Sequence, residues 1–230
     1  DGLLNASQYL QKVYAQRCKR FGVKKPMLYF PYAYHREICV PSNKPIPFTK
    51  QPSDRFFLFM GSLVMNYGCF TMVHAFEKLR TIDPSLKLLL IGKGRAYQDV
   101  LAYIKAQGLE DTIHTTGYIE EEEIPAYFSH ADAFLSPMND TPQDWARCPS
   151  KLYMYMPYQK PIITCRIGEP CEVLGEQGIY FKPSDVDSLV DAILRLAEQD
   201  QWTLDINSLE YEWEYRTHQF HQWITQTFKV

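Results

Sequence analysis

The chain has 230 residues, 46% of them hydrophobic and 22% charged, which suffices for one large or two small globular domains with a proper core. Its 24 basic residues against 27 acidic ones give a formal net charge of -3, which excludes a domain-wide positive field of the kind that holds nucleic acid or anionic lipid. Apolar runs such as Leu86 to Ile91, broken by Lys87, fall far short of the ~20 residues that span a bilayer, the N-terminus lacks a signal-peptide layout, and the six cysteines (18, 39, 69, 148, 165, 171) show neither a CxxC pair nor a zinc spacing, so a cytoplasmic protein with reduced thiols is expected.

In chain order, Gly2 to Leu4 reads as a short strand. A helix follows, with Asn5 and Ser7 as cap candidates and Leu10, Val13, Tyr14 and Arg17 at helical spacing until Gly22. Met27 to Phe30 reads as a second strand. Pro31, Pro41, Pro45, Pro47 and Pro52 then break every period, so residues 35–54 are expected as a linker. From Arg55 a rhythm begins: FFLFMG, a helix over about 69–82, KLLLIG, a helix over about 97–107, a strand at 113–117, a short helix near 121–128 and a strand at 133–137. It continues with a helix near 151–158, strands at 161–165 and 178–181, and a helix over 185–199. Near-continuous apolar strands that alternate with helices predict a Rossmann-like α/β fold, a doubly wound parallel sheet covered on both faces, whose ligands sit beyond the strand carboxyl ends. The last stretch, 204–228, places Trp213, Phe220, Trp223 and Ile224 on an expected amphipathic helix.

Three strand ends carry glycine where a phosphate could approach: Gly61 with Gly68, Gly92 with Gly94, and Gly117. Backbone N–H groups at such turns can face an anion, and the next helix N-terminus adds partial positive charge; turn sterics explain each glycine taken singly equally well. Lys93 and Arg95 flank Gly94 and could neutralise a diphosphate, or be solvated surface cations. The segment from Asn139 to Lys151 is polar and irregular after a buried strand, the place where a long loop tends to be functional. Within it, Arg147 and Lys151 flank Pro149, which can start a helix, so two cations and a helix N-terminus could form a diphosphate clamp; ordinary capping by Ser150 with an exposed Lys151 is the equal alternative.

The order Gly61-Ser62-Leu63, Gly92-Lys93-Gly94-Arg95, Gly117-Tyr118-Ile119 with acidic residues and Ile124 after it, Ala131-Asp132-Ala133, Pro137, Pro149-Ser150-Lys151-Leu152, Lys160-Pro161-Ile162-Ile163 and Gly168-Glu169 resembles the glycosyl transferases group 1 family over about residues 55–199. The resemblance implies a GT-B architecture, two Rossmann-like domains facing a cleft, with this chain supplying the C-terminal, donor-binding one. Residues 1–34 then look like the last strand-helix-strand unit of an N-terminal domain otherwise absent, 55–199 like the nucleotide-sugar domain, and 200–230 like the helix that crosses back. It also implies a retaining transfer of a hexosyl unit from a nucleotide diphosphate sugar, with UDP-glucose or a related UDP-hexose favoured because the turn Gly117-Tyr118-Ile119 resembles the family's base-binding edge.

By the same resemblance, Gly61, Ser62, Gly92, Lys93, Gly94, Gly117, Tyr118, Ile119, Pro137, Ser150, Leu152, Met154 and Tyr155 would hold the donor, while Arg147 and Lys151 would stabilise the leaving diphosphate. Glu169 would face the donor sugar or be an ordinary carboxylate near a helix start. No cofactor and no metal is expected; the acceptor would be a glycan or lipid-linked sugar, and the absent domain would allow peripheral association with the inner face of a membrane. Where members commonly carry an arginine and a lysine in the first glycine loop, this chain has Ser62 and Tyr67; where they carry two glutamates eight residues apart, it has Ala146 and Met154. Arg147, Lys93 and Lys151 are therefore the candidates to replace the lost phosphate ligands, and the ribose ligand is unassigned. A non-catalytic nucleotide-binding module and another GT-B enzyme such as a sugar-nucleotide epimerase are the alternative readings.

Overall fold

The computed structural model describes residues 1–199 and 202–229; residues 200, 201 and 230 of the expected crossing segment lie outside the described residues. A small unit comes first: β1 (Leu3–Asn5), α1 (Gln8–Arg20) and β2 (Met27–Tyr29), with β1 and β2 parallel in register Leu3↔Met27. Ser7 caps α1 by accepting from the Leu10 N–H at 3.3 Å, and Arg17, Lys19 and Arg20 in the last turn complement the helix dipole. The proline-rich segment 35–54 lacks strands and regular α-helix but does not float free. Cys39 is buried, and Phe48 stacks on His114 with ring centroids 4.8 Å apart.

The main sheet contains β3 (Arg55–Met60), β4 (Leu86–Ile91), β5 (Ile113–Gly117), β6 (Ala133–Ser136), β7 (Ile162–Thr164) and β8 (Ile179–Tyr180), all parallel, in the order β5-β4-β3-β6-β7-β8. Parallel neighbours need crossovers, and the helices supply them: α2 (Cys69–Ile82), α3 (Tyr97–Ala106), α4 (Ile124–His130), α5 (Pro142–Ala146), α6 (Ser150–Tyr155), α7 (Gly168–Leu174) and α8 (Val186–Ala197). Alternation along β3 divides the core. Phe57 and Phe59 pack with Met72, Phe76 and Ile193 on one face, whereas Leu58 packs with Phe128, Phe134 and Tyr155 on the other. Each such fully buried side chain contributes about 1.5–3 kcal/mol. The strand order reverses between β3 and β6, so the crevice where a parallel sheet binds ligands lies beyond their carboxyl ends.

Three local expectations are corrected. The final helix, α9 (Trp213–Phe228), starts later than the periodicity predicts, because Leu204 is buried with its N–H on the Gln159 carbonyl and a 3-10 turn over Ser208–Tyr211 intervenes. The polar loop after β6 holds α5, which Pro142 and the Thr141 cap nucleate: Thr141 Oγ1 accepts from the Asp144 N–H at 3.2 Å. Pro149, not Ser150, is the N-cap residue of α6, and no side chain caps that helix. From its start α9 lays Trp213 and Phe220 against Phe30 of the N-terminal unit, with ring centroids 6.4 and 5.6 Å apart. Among the described residues no helix is long and apolar enough to cross a membrane.

Candidate functional site

The turns leaving β3, β4 and β5 meet at the carboxyl end of the sheet, and their glycines serve two different purposes. A Cβ on Gly92 would lie 2.3 Å from the Gly61 carbonyl oxygen, and one on Gly94 would lie 2.3 Å from the Leu63 carbonyl oxygen. Those two glycines let one turn pack against the next, with the Leu63 N–H donating to the Lys93 carbonyl at 3.2 Å. Gly61 and Gly117 instead make room for lysines. A Cβ on Gly61 would sit 3.2 Å from Lys151 Nζ, and one on Gly117 would sit 2.7 Å from Lys93 Cε. Two strand spacings separate the glycines, so the lysine perches stand about 10 Å apart.

Lys151 projects from the first turn of α6 onto the end of β3, half-buried, with Nζ 3.7 Å from the centre of the Phe59 ring. Burial, and then the neighbouring Arg147 guanidinium, hold its pKa well below the ordinary lysine value. Lys93 is exposed, with its ammonium between the Tyr97 and Tyr118 rings at 5.7 and 5.8 Å from their centres. Among the described residues neither lysine has a carboxylate partner. The sheet end therefore offers two lysines that no carboxylate among the described residues neutralises.

Arg147 differs. Its Nη2 lies 2.7 Å from Asp144 Oδ1 and its guanidinium lies 4.2 Å from the centre of the Tyr67 ring. Asp144 is 5% exposed and also accepts from the Asn139 N–H at 3.1 Å and the Thr141 hydroxyl at 3.3 Å, so it organises the loop after β6. The expected free cation is thus an ion-paired one. A cleft of about 1300 Å³ opens beside it, between the turn Val64–Tyr67, the start of α3 at Arg95 and Asp99, and the loop Asn139–Asp144.

The remaining sequence candidates divide. Ser62 and Tyr118 are exposed at the sheet end, Ser150 is half-buried at the start of α6, and Ile119 and Met154 are half-buried against the second core cluster. Pro137 is buried; a Cβ on Gly68 would meet its Cβ at 3.0 Å. Leu152 and Tyr155 are corrections, because both are wholly buried: Tyr155 stacks on Phe134 at 4.1 Å and its hydroxyl accepts from the Met60 N–H at 3.0 Å. Glu169 is a third. It is 1% exposed and turns inward, accepting from the Tyr29 and Tyr153 hydroxyls, so it does not face a donor sugar from this position. Burial pushes its carboxyl pKa up against the pull of those phenols. Sequence reasoning missed Phe59 beneath Lys151, Tyr97 beside Lys93, and Asp144. Only the last had a local signal, an Asp–Arg pair at i, i+3.

A family model described as Glycosyl transferases group 1 matches residues 54–199, the stretch that builds this sheet and its ligand end. The chain belongs to that family. Solved structures agree on the fold: sucrose-phosphate synthase from Thermosynechococcus elongatus superposes with a TM-score of 0.75 at 20% identity, over 98% of this chain and 58% of that one. The Anabaena protein HepE, in complex with UDP and glucose, gives a TM-score of 0.74 at 16% identity over 97% of this chain and 62% of its own. The pneumococcal O-GlcNAc transferase GtfA, in complex with UDP and GlcNAc, gives a TM-score of 0.74 at 12% identity, over 99% of this chain and 45% of that one. These glycosyltransferases have the GT-B fold, and the chain spans between 45% and 62% of their lengths. No curated protein matches the chain.

Proposed function

We propose that this group 1 glycosyltransferase chain is the donor-binding half of a retaining enzyme that takes a hexosyl unit from a UDP-sugar and gives it to a glycan or lipid-linked acceptor in polysaccharide biosynthesis, at the cytoplasmic side of a membrane. The observation that carries the reading is the pair of lysines, Lys151 above Gly61 and Lys93 above Gly117, without a carboxylate partner among the described residues at the switch-point end of the sheet. A nucleotide diphosphate supplies the missing negative charge. As the bond from the anomeric carbon to the diphosphate breaks and the acceptor oxygen bonds to that carbon, the acceptor proton leaves to the diphosphate or to solvent. Charge grows on the leaving group, and cations fixed beforehand stabilise it more than they stabilise the bound donor. The UDP bound in the HepE and GtfA structures favours the same donor class here. Residues 1–34 and 200–230 are proposed to belong with an N-terminal domain that carries the acceptor site.

Calorimetric titration with UDP, GDP and ADP tests this. Saturable UDP binding stronger than either purine nucleotide is expected; GDP or ADP binding with none for UDP removes the donor assignment and leaves the fold untouched. A non-catalytic nucleotide module is the second reading, favoured by Met154 and by the inward turn of Glu169, which leave the site short of carboxylates. It predicts UDP binding without sugar transfer or donor hydrolysis in the full-length protein.

A further inference from the structure

The segment that carries the proposed clamp is gripped by the N-terminal unit at successive points. Ser7, wholly buried, donates its hydroxyl to the Ala146 carbonyl at 2.9 Å while the same oxygen caps α1. The Tyr9 and Trp145 rings lie 6.1 Å apart, and the Tyr32 N–H points to Cys148 Sγ at 3.2 Å. Beyond them, Tyr29 from β2 and Tyr153 from α6 donate to the same oxygen of Glu169, Tyr153 at 2.8 Å. Gly168, just before Glu169, is pressed onto α5, since a Cβ there would lie 2.8 Å from the Trp145 carbonyl oxygen. Arg147 and Lys151 fall inside this bracket, between Ala146 and Tyr153.

We propose that Ser7, Tyr29 and Glu169 are positioning residues: they hold the segment 146–153, and with it the Lys151 ammonium above Gly61, so that the N-terminal unit sets the strength of anion binding without touching the anion. The inference rests on the reading of Lys151 as a diphosphate ligand. Its physical basis is the cost of placement. Among the described residues Lys151 makes no ion pair and rests on the Phe59 ring alone, so the order of its backbone weighs heavily in how often the ammonium stands where a phosphate needs it, and looseness there lowers affinity. The coupling is reciprocal, so bound UDP strengthens the docking of the N-terminal unit by the same factor.

Tyr29→Phe removes one hydroxyl and keeps the ring; Ser7→Ala does the same at the other end of the bracket and serves if Tyr29→Phe fails to fold. The first measurement uses no nucleotide: the rate at which an acylating reagent modifies Lys151, read by mass spectrometry against Lys93, which sits on another turn and touches none of these groups. A rise of several-fold in the Lys151 to Lys93 ratio is expected in either variant. The second compares UDP with uridine, and a fall of about five-fold in UDP affinity with uridine binding unchanged is expected. An unaltered acylation ratio in a folded variant overturns the proposal, as does an equal loss for UDP and uridine. If the unaltered protein binds no UDP, the nucleotide reading fails on its own, and the acylation ratio still decides whether the bracket positions Lys151.

Discussion

At the amino-terminal end of the sheet, Lys50 contacts Asp132 Oδ2 at 2.5 Å, Arg55 donates to the Ala197 carbonyl at 2.6 Å, and Lys160 donates to the carbonyls of Phe128, Ser129 and Ala131. At the carboxyl-terminal end, Lys93 and Lys151 rest on aromatic rings and have no carboxylate partner among the described residues. The contrast teaches where to look for a ligand. A desolvated cation is costly unless something neutralises it; protein acceptors do so for Lys50, Arg55 and Lys160 and, at the carboxyl end, for Arg147 through Asp144, whereas among the described residues Lys151 has only a ring face. Lys160 thus closes the carboxyl end of α4, and Lys151 is the residue for which the proposed diphosphate would be the partner.

The largest effect expected from breaking this comparison is at the satisfied end. Lys160→Ala leaves three carbonyls at the end of α4 without their donor and should cost about 3 kcal/mol of stability, the upper range for a hydrogen-bonded charged group, while UDP affinity stays unchanged. Urea unfolding and calorimetry on one preparation measure both. A variant that loses UDP binding in step with stability would erase the distinction between the two ends.

Lys151→Ala should do the reverse, with little loss of stability and about 2 kcal/mol weaker UDP binding. A sign follows for pH. The free ammonium has a lowered pKa because it is buried beside Arg147, and a bound diphosphate raises it again. Between those two values UDP binding takes up a proton, so affinity falls as pH rises through a range below the ordinary lysine value. Titration in buffers of different ionisation enthalpy should show that uptake in the unaltered protein and none in Lys151→Ala. Without ligand, the same depressed pKa makes stability rise with pH between the lowered value and the ordinary one, because there the unfolded chain binds the extra proton.

Much of this was legible in the sequence, and the failures share a cause. Near-continuous apolar strands such as FFLFM and LKLLLI, split by helical periods, give the parallel sheet because burial on both faces leaves no other pattern. The glycines at strand ends were visible too, but not that Gly92 and Gly94 serve the packing of turns while Gly61 and Gly117 serve lysines; that depends on which backbone lies 2.3 Å away across the sheet. Glu169 shows the same limit. Beside Gly168 it reads as a carboxylate that faces the donor sugar or sits near a helix start, and only the docking of Tyr29, 140 residues earlier, turns it into a buried acceptor.

Lys93→Ala sharpens the comparison at lower amplitude. The side chain is exposed and its contacts are ring faces, so solvent screens its interaction with a phosphate, and a loss of at most about 1 kcal/mol in UDP affinity is expected, steeply reduced at high salt. Arg147→Ala should fall nearer to Lys160→Ala in character, since it strands the buried Asp144 and costs stability. A loss of UDP affinity in Arg147→Ala as large as that in Lys151→Ala, without destabilisation, would restore it as a direct ligand.

The smallest effect concerns the ribose. By the family resemblance Met154 takes a place expected to hold a glutamate, and it is half-buried on the Leu58 side of the core. A carboxylate accepts from both ribose hydroxyls, whereas a thioether accepts weakly and donates nothing. The residues on either side do not substitute, because the Tyr153 hydroxyl is spent on Glu169 and the Tyr155 hydroxyl accepts from the Met60 N–H. Neither neighbour of Met154 therefore supplies a ribose ligand from α6. The 2'-deoxy form of UDP should bind with a penalty of about 0.5 kcal/mol, below the ~1.5 kcal/mol at which the loss of a charged partner begins. Competition between the two nucleotides on the unaltered protein measures the difference directly. A penalty at or above that threshold would mean that a charged group reaches the ribose from outside α6, and a search among variants of the exposed turns, beginning with Tyr118 and its acidic neighbours Glu120 to Glu123, would then identify it.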